Sequence, residues 1–249
     1  MKDRDYEILE RLSQDHTTTV AQLSKALNVS QVTIRKDLDQ LEKRDIIIRE
    51  HGGARLKSTE NINGRIANHY EAKVAIARQA ATLIKDGDIL MIESGSSCAL
   101  LAFELAATRK NLTIITNNAY IASHIRQSHN NEVILLGGIM QPDSLTMTGP
   151  MVSLCAENFY VDYCFTGTDG WSENTGFCNK DQMRGQAARD MVRQCDTCVM
   201  LAEHQKFEKR GNIPLNLKGK VKLVITDAGL DDAVKERIES TGLQVIRAS

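Results

Sequence analysis

Residues 20–56 read VAQLSKALNVSQVTIRKDLDQLEKRDIIIREHGGARL, and the spacing of their apolar positions decides the fold of the N-terminal part. Val20, Leu23 and Leu27 recur on one helical face. Thr19, with Gln22 three residues on, forms the T-x-x-Q capping box that starts this helix. Asn28 and Val29 suit a short turn, and Ser30 is a natural cap for a second helix, in which Ile34, Leu38 and Leu41 mark the inward face. The opposite face carries Gln31, Thr33, Arg35 and Lys36 at the helix start. Ile46–Ile47–Ile48–Arg49–Glu50 is strand-like, and His51–Gly52–Gly53–Ala54 offers a tight turn. Helix, turn, helix and hairpin make a winged helix-turn-helix, a form that lays its second helix in a DNA major groove. Polar and cationic side chains at that helix's N-terminus reach base edges and phosphates: Gln31 pairs with adenine, and Arg35 with guanine or a phosphate. Asp37, Asp39, Glu42 and Asp45 interleave with the cations. The expectation is that these acids point away from the phosphates.

The segment VTIRKDLDQLEKRDIIIREHGGA resembles the signature of DeoR-type bacterial repressors, whose recognition helix reads T-[IV]-R-[RK]-D-L-x-x-L and whose wing ends R-x-H/Y-G-G. Thr33, Ile34, Arg35, Lys36, Asp37, Leu38, Leu41, Arg49, His51, Gly52 and Gly53 carry the match. Asp45 departs from it, standing where that family usually has glycine. The resemblance implies binding to double-stranded operator DNA through Ser30, Gln31, Thr33, Arg35, Lys36, Arg49 and His51.

Outside this segment, the chain is long enough for two domains at 249 residues, and its formal net charge is −1. DNA affinity must therefore come from local charge placement. Aromatic content of 4% argues against a stacking platform for single strands. A charged, amphipathic N-terminus and the absence of a long apolar run predict a cytoplasmic protein with no membrane partner. Residues 3–14 form a helix with Tyr6, Leu9 and Leu12 on one face. The expected domains are a winged helix-turn-helix at 1–57, a polar linker at 58–68 and a sensing domain at 69–249, which opens on a helix over 69–85.

From Ile89 onward short apolar runs alternate with amphipathic helices. The runs are 89–93, 112–116, 132–136, 162–166, 198–202, 221–226 and 243–247; the helices are 99–107, 119–127, 152–159, 182–193 and 231–240. This alternation predicts an α/β domain with a mostly parallel sheet covered on both faces, in which ligands sit beyond the C-terminal strand ends. The residues after the strands are Glu93 with Ser94–Gly95–Ser96–Ser97, then Thr116–Asn117–Asn118, Gly137–Gly138, Gly167–Thr168–Asp169–Gly170, and Glu203–His204–Gln205–Lys206. Small hydroxyl residues and a glycine before a helix make an anion site, although a helix cap in a tight turn leaves the same trace. Lys206 offers a point charge to a phosphate. Together these groups suit a polyhydroxylated, phosphorylated ligand.

These segments also resemble the DeoR effector domain, with its D-x-G-[ST]-[ST], T-N-[SN], L-x-G-G, G-x-D-G and A-D-x-S-K-F motifs. The resemblance implies a fold similar to ribose-5-phosphate isomerase, a homo-oligomer (dimer or tetramer), and a phosphorylated sugar or polyol as effector. The implied effector residues are Ser94, Gly95, Ser96, Ser97, Thr116, Asn117, Asn118, Gly137, Gly138, Asp169 and Lys206. Glu93 and Glu203 replace the usual aspartates, and no glutamate matches the family's after the fourth strand. The alternative is a sugar-phosphate isomerase or deaminase with a DNA-binding arm. Asp169, Asp181 and Glu203 would be its candidate carboxylates. The fused reader favours a regulator without catalytic residues. Neither a cofactor nor a metal is called for. Cys195–Asp196–Thr197–Cys198 lies between a helix end and a strand start, the wrong polarity for a redox pair and half a zinc site, so it reads as structural. His124 and His129 read as solvent-facing.

Overall fold

The structure, a computed structural model, describes residues 3–249 apart from 16, 59, 129 and 218. It divides into two units, Met1–Tyr70 and Glu71–Ser249. In the first, α1 (Asp3–Asp15), β1 (Thr18–Thr19), α2 (Val20–Ala26), α3 (Gln31–Lys43), β2 (Ile47–Glu50), β3 (Gly53–Leu56) and α4 (Ile62–Ala67) follow in order. The three strands form an antiparallel sheet in the order β1-β3-β2. Ile8, Leu9 and Leu12 of α1, Leu23 of α2, Ile34, Leu38 and Leu41 of α3, and Ile47 and Ala54 of the wing make one buried cluster. Each helix presents to this core the stripe its periodicity predicts.

Local chemistry sets the boundaries. Thr19 Oγ1 accepts from the Gln22 N–H at 3.2 Å, while Gln22 Oε1 accepts from the Thr19 N–H at 2.8 Å. The turn between α2 and α3 needs Asn28 at φ 52°, a conformation asparagine tolerates. Helix α3 ends in a Schellman motif: the Asp45 N–H donates to Glu42 O (2.8 Å) and the Ile46 N–H to Leu41 O (3.1 Å). Asp45 holds the left-handed position, at φ 60°. Gly53 packs on β1 so closely that a Cβ there would lie 2.5 Å from Thr18 O.

The stretch expected to be a linker contains α4, with Ile62, Ile66 and Ala67 buried. Its Asn61 side chain accepts from the Asn63 N–H (2.9 Å) and starts the helix. Apolar residues at positions 62, 66 and 67 make a single helical turn, too short to register as a periodic signal. The following helix, α5 (Tyr70–Ala81), is shorter than the expected 69–85. Residues 82–84 continue it in tighter i→i−3 turns.

In the second unit seven strands form one sheet: β4 (Ile89–Ile92), β5 (Thr113–Thr116), β6 (Glu132–Leu135), β9 (Val161–Gly167), β12 (Cys195–Leu201), β14 (Val221–Asp227) and β15 (Gln244–Ala248). All are parallel, in the order β15-β14-β12-β9-β4-β5-β6. Their apolar runs are buried because helices cover them: Met91, Ile92, Ile114, Ile115, Val224 and Ile225 are all inaccessible. The helices are α6 (Ser96–Thr108), α7 (Ala119–Ile125), α8 (Pro150–Ala156), α9 (Gln182–Arg193) and α10 (Asp232–Glu239).

Small antiparallel pieces were not expected. A hairpin pairs β7 (Ile139–Gln141) with β8 (Thr146–Thr148), and a second small sheet joins β10 (Gly170–Ser172), β11 (Gly176–Asn179) and β13 (Ile213–Pro214). From β4 the chain winds outward through β5 and β6; it then returns to β9 on the other side of β4 and winds the opposite way. The reversal lies between β4 and β9, where an open parallel sheet forms its ligand crevice.

Candidate functional site

The first unit presents a cationic helix start, and of the neighbouring acids Asp37, Asp39 and Asp45 are each paired with a cation. Ser30 caps α3, its Oγ accepting from the Thr33 N–H at 3.1 Å and lying 2.9 Å from Thr33 Oγ1. One turn of helix then exposes Gln31, Arg35 and Lys36. Arg35 touches only Gln31 Oε1, at 3.4 Å, and among the described residues neither Arg35 nor Lys36 has a carboxylate partner. The acids behave differently from one another. Asp37 is buried and holds the Arg4 guanidinium of α1 through two bonds, 2.7 and 3.1 Å. Asp39 pairs with Arg49 at 2.8 Å, Glu50 with Arg55 at 2.7 Å, and Asp45 with Lys57 at 2.5 Å. Neutralisation, more than direction, clears the field around Arg35 and Lys36. Arg49 thereby braces the wing against α3, and its side chain is only 26% exposed. His51 and Gly52 form the exposed wing tip, with Gly52 at φ 75°.

In the second unit the strand ends on both sides of the reversal carry charge. After β4, Glu93 is buried and locks the loop: its carboxylate accepts from Ser94 Oγ (2.6 Å), the Gly95 N–H (3.0 Å) and Thr166 Oγ1 (3.4 Å). Helix α6 then starts at Ser96 without any side-chain cap. Its first N–H groups and positive dipole end thus lie just after the C-terminal end of β4 without a side-chain acceptor. Gly95 lies against Gly167 of β9, a Cβ there coming 3.5 Å from the Gly167 Cα.

Across the crevice, Asp169 accepts from the Lys180 N–H (3.0 Å) and stands 3.6 Å from Lys206 Nζ. Lys206 is also 3.7 Å from Glu203 Oε1. It sits in a short 3-10 turn (His204–Lys206) anchored by Asp227, at the end of β14. The His204 N–H donates to Asp227 Oδ1 (2.7 Å), the His204 ring meets Oδ2 (2.6 Å), and the Gly229 N–H donates to Oδ2 (3.1 Å). Burial pushes the Asp227 carboxyl up, but the bonds from His204 and Gly229 outweigh it and hold its pKa below the ordinary value. At the innermost point of this charge chain lies Lys73 of α5, 2% exposed and 3.8 Å from Glu203 Oε1. Neither Lys73 nor Asp227 is marked by a motif in the sequence; only the strand-end position of Asp227 could have drawn attention to it.

Other candidates hold the protein together. Asn118 caps α7, accepting from the N–H groups of Tyr120 (2.9 Å) and Ile121 (3.1 Å) and donating to Ser144 O (3.0 Å). Asn117 Nδ2 donates to Met147 O (3.1 Å), and Thr116 Oγ1 accepts from the Asn118 N–H (3.2 Å). All three are fully buried. Gly137 and Gly138 lie beyond the edge strand β6, and a Cβ at Gly138 would meet Thr148 O at 2.6 Å. The close backbone approach of Gly138 is to β8, whereas Gly137 meets only the Cys155 side chain of α8. Asp181, a candidate base, caps α9 by accepting from the Arg184 N–H (2.8 Å).

Residues 4–60 match the DeoR-like helix-turn-helix domain, and residues 68–228 match the DeoR C terminal sensor domain. The chain belongs to the DeoR family. It is similar to the HTH-type transcriptional regulator GolR of Listeria innocua, 32% identical over 98% of this chain and 97% of that one. It is 29% identical to the HTH-type transcriptional repressor GlcR of Bacillus subtilis, over 98% and 95% of the two chains. With the glycerol-3-phosphate regulon repressor of Escherichia coli it shares 28% identity over 89% and 88%. A ribose 5-phosphate isomerase from Methanocaldococcus jannaschii is structurally similar, with a TM-score of 0.42 and 18% identity over 56% of this chain and 55% of that one. At that score the likeness carries no inference about chemistry.

As a DeoR-family member the protein is a DNA-binding transcriptional regulator with a sensor domain, and not an enzyme. Among the described residues no helix is long and apolar enough to cross a membrane, and no group of three or more His, Cys, Asp or Glu is arranged to hold a metal ion. Cys195 and Cys198 lie buried inside β12, and burial pushes the Cys198 thiol well above its usual value. His124 is exposed and stacks on Phe103, ring centroids 3.8 Å apart. His129 lies outside the described residues.

Proposed function

We propose that this DeoR-family regulator is a cytoplasmic repressor of a carbohydrate-utilisation operon, released from its operator by a phosphorylated sugar or polyol. One observation carries the reading. At the reversal of the sheet, the uncapped start of α6 and the Lys206 ammonium lie at strand ends on either side of the crevice between β4 and β9. A helix N-terminus and a lysine suit a phosphate, while the carboxylates Asp169 and Glu203 suit sugar hydroxyls. Gly95, Ser96, Ser97, Asp169 and Lys206 are therefore the effector contacts. Ser94, Thr116, Asn117, Asn118, Gly137 and Gly138 shape the crevice from behind. On DNA, Gln31, Thr33 and Arg35 read bases while Ser30, Lys36, Arg49 and His51 position the helix on phosphates.

The reader (1–57) and the sensor (69–249) act through a homo-oligomer, dimer or tetramer, because two-fold symmetry matches paired operator half-sites. The exposed apolar side chains Ile139, Met140, Met151, Leu154 and Met183 support such an assembly. A relative named as the glycerol-3-phosphate regulon repressor supports the effector class. Calorimetry with a sugar and with its phosphate tests the site: the phosphate should bind at least about tenfold more tightly, and equal affinities would sink the reading.

A further inference from the structure

Arg184, in the first turn of α9, keeps only 12% of its side chain exposed. A guanidinium cannot shed its charge, and burial obliges its N–H donors to find acceptors. Arg184 finds none: among the described residues no hydrogen bond reaches its guanidinium, and its Nε is shut off from solvent without a partner. The nearest carboxylate, Asp181, stands 4.0 Å from Nε, beyond hydrogen-bonding range. Asp181 is engaged elsewhere. It accepts from the Arg184 backbone N–H at 2.8 Å, and both its oxygens accept from Gln141 Nε2 at 3.2 Å. Arg49 and Arg247 also carry an unpartnered buried nitrogen, yet each holds a carboxylate, at 2.8 and 2.6 Å. Arg184 holds nothing so close. Nε is its only sealed guanidinium nitrogen, so an acceptor can still approach the Nη edge.

This arginine belongs to the polar chain that carries the proposed phosphate contacts. Lys206 Nζ is 3.6 Å from Asp169, and Asp169 accepts from the Lys180 N–H at 3.0 Å. Asp181 is the next residue and caps the helix that bears Arg184. The two cations suit different tasks. An ammonium is a point charge, whereas the planar guanidinium fork engages two oxygens of one carboxylate or phosphate. Unmet buried donors are costly until such a group arrives.

We infer that Arg184 is a second anion subsite of the sensor, and that the effector carries a further anionic group, a carboxylate or a second phosphate, for its fork. For the first anionic group this rests on the sugar-phosphate reading; the role of Arg184 does not. Calorimetry at fixed ionic strength compares wild type with Arg184→Met, using glucose 6-phosphate, 6-phosphogluconate and glucose 1,6-bisphosphate, with gluconate and glucose as the phosphate-free pair. Wild type should bind one doubly anionic compound at least about tenfold more tightly than glucose 6-phosphate, and which one identifies the group. In the variant that preference should shrink to within about threefold. A smaller wild-type preference, or one the variant keeps, overturns the subsite. If glucose 6-phosphate binds no better than glucose but gluconate does, and only in wild type, the sugar-phosphate reading fails and Arg184 stands. Where none of the five binds, the ligand-free protein decides. Methionine removes a buried charge that lacks an acceptor, while Asp181 keeps its cap, so the variant should melt no more than about 2 °C below wild type. A larger drop, or a changed oligomer mass by light scattering, would assign Arg184 to the fold or to another copy of the chain and overturn the subsite.

Discussion

The two units handle charge in opposite ways. Around the start of α3 the protein keeps Gln31, Arg35 and Lys36 in water and neutralises nearby acids in pairs, chiefly Arg4–Asp37 and Arg49–Asp39. In the sensor it buries Lys73, Glu93, Glu203 and Asp227 and orders them by hydrogen bonds and shared ion pairs. An exposed cation acts at long range and is screened by salt, which suits an encounter with a polyanion. A buried cluster acts at short range in low dielectric, where a single added charge has large consequences. One unit is built to be attracted, the other to be tipped.

The sharpest way to break this contrast is at Arg35. Arg35→Ala removes an exposed side chain that among the described residues hydrogen-bonds only to Gln31, so the fold and effector affinity should be unchanged. Operator affinity should fall by about 100-fold or more, since each base contact contributes roughly 1–3 kcal/mol and a symmetric complex has two. A gel-shift titration at fixed salt decides it; a variant that still shifts operator DNA at wild-type concentrations would show that the reading face lies elsewhere.

Lys206→Met is the matching change in the sensor. The loss of a charge-assisted contact should weaken sugar-phosphate binding by about 10- to 100-fold. Ligand-free operator binding should stay within severalfold of wild type, because Lys206 belongs to the second unit and the DNA-reading residues to the first. Calorimetry and gel shift on one preparation separate the two effects. Loss of DNA binding with effector affinity preserved would contradict the division of labour.

The strands were legible because parallel strands are covered on both faces, so runs such as Ile89–Ile92 and Val221–Thr226 are apolar without alternation. The strand-end rule likewise singles out Gly95–Ser97, Asp169 and Lys206, the contacts proposed for the effector. It failed to separate polar groups aimed at the crevice from polar groups aimed at the chain's own backbone: Thr116–Asn117–Asn118 has the look of a ligand loop and serves as a helix cap. Lys73 was invisible for the converse reason. Lysine on an amphipathic helix ordinarily faces water, and its burial depends on Glu203, far away in the chain. The hairpin β7–β8 has strands of three residues, too few for alternation to register.

Asp227 tests how firmly the sensor's charges are preorganised. Its pKa is depressed, so its contribution to stability is complete above the ordinary aspartate range near 4 and is lost as pH falls through the folded-state value. Acidification below about pH 4 should therefore loosen the turn that carries Lys206. Asp227→Asn should remove that part of the acid dependence and lower Tm at neutral pH by about 2–6 °C, from about 1–2 kcal/mol of lost hydrogen bonding. Melting curves from pH 3 to 7 compare the two proteins, and identical acid profiles would exclude Asp227 as the anchor.

The smallest effect concerns Asp45, where a side chain holds the left-handed position that ends α3. At φ 60° a side chain costs roughly 1 kcal/mol, somewhat less for aspartate. Glycine removes that strain but loses about 0.5–1 kcal/mol through the entropy of the unfolded chain. It also gives up the exposed Lys57 pair, which contributes at most about 1 kcal/mol. The terms nearly cancel, so Asp45→Gly should change reader stability by no more than about 0.5 kcal/mol. Asp45→Ala keeps the strain without the ion pair and should destabilise by about 1 kcal/mol. Urea unfolding of the three proteins at low and high salt resolves the terms. A glycine variant more stable by over about 1 kcal/mol would mean that the strain of the side chain at φ 60° exceeds roughly 1 kcal/mol and outweighs both the chain entropy and the Lys57–Asp45 pair.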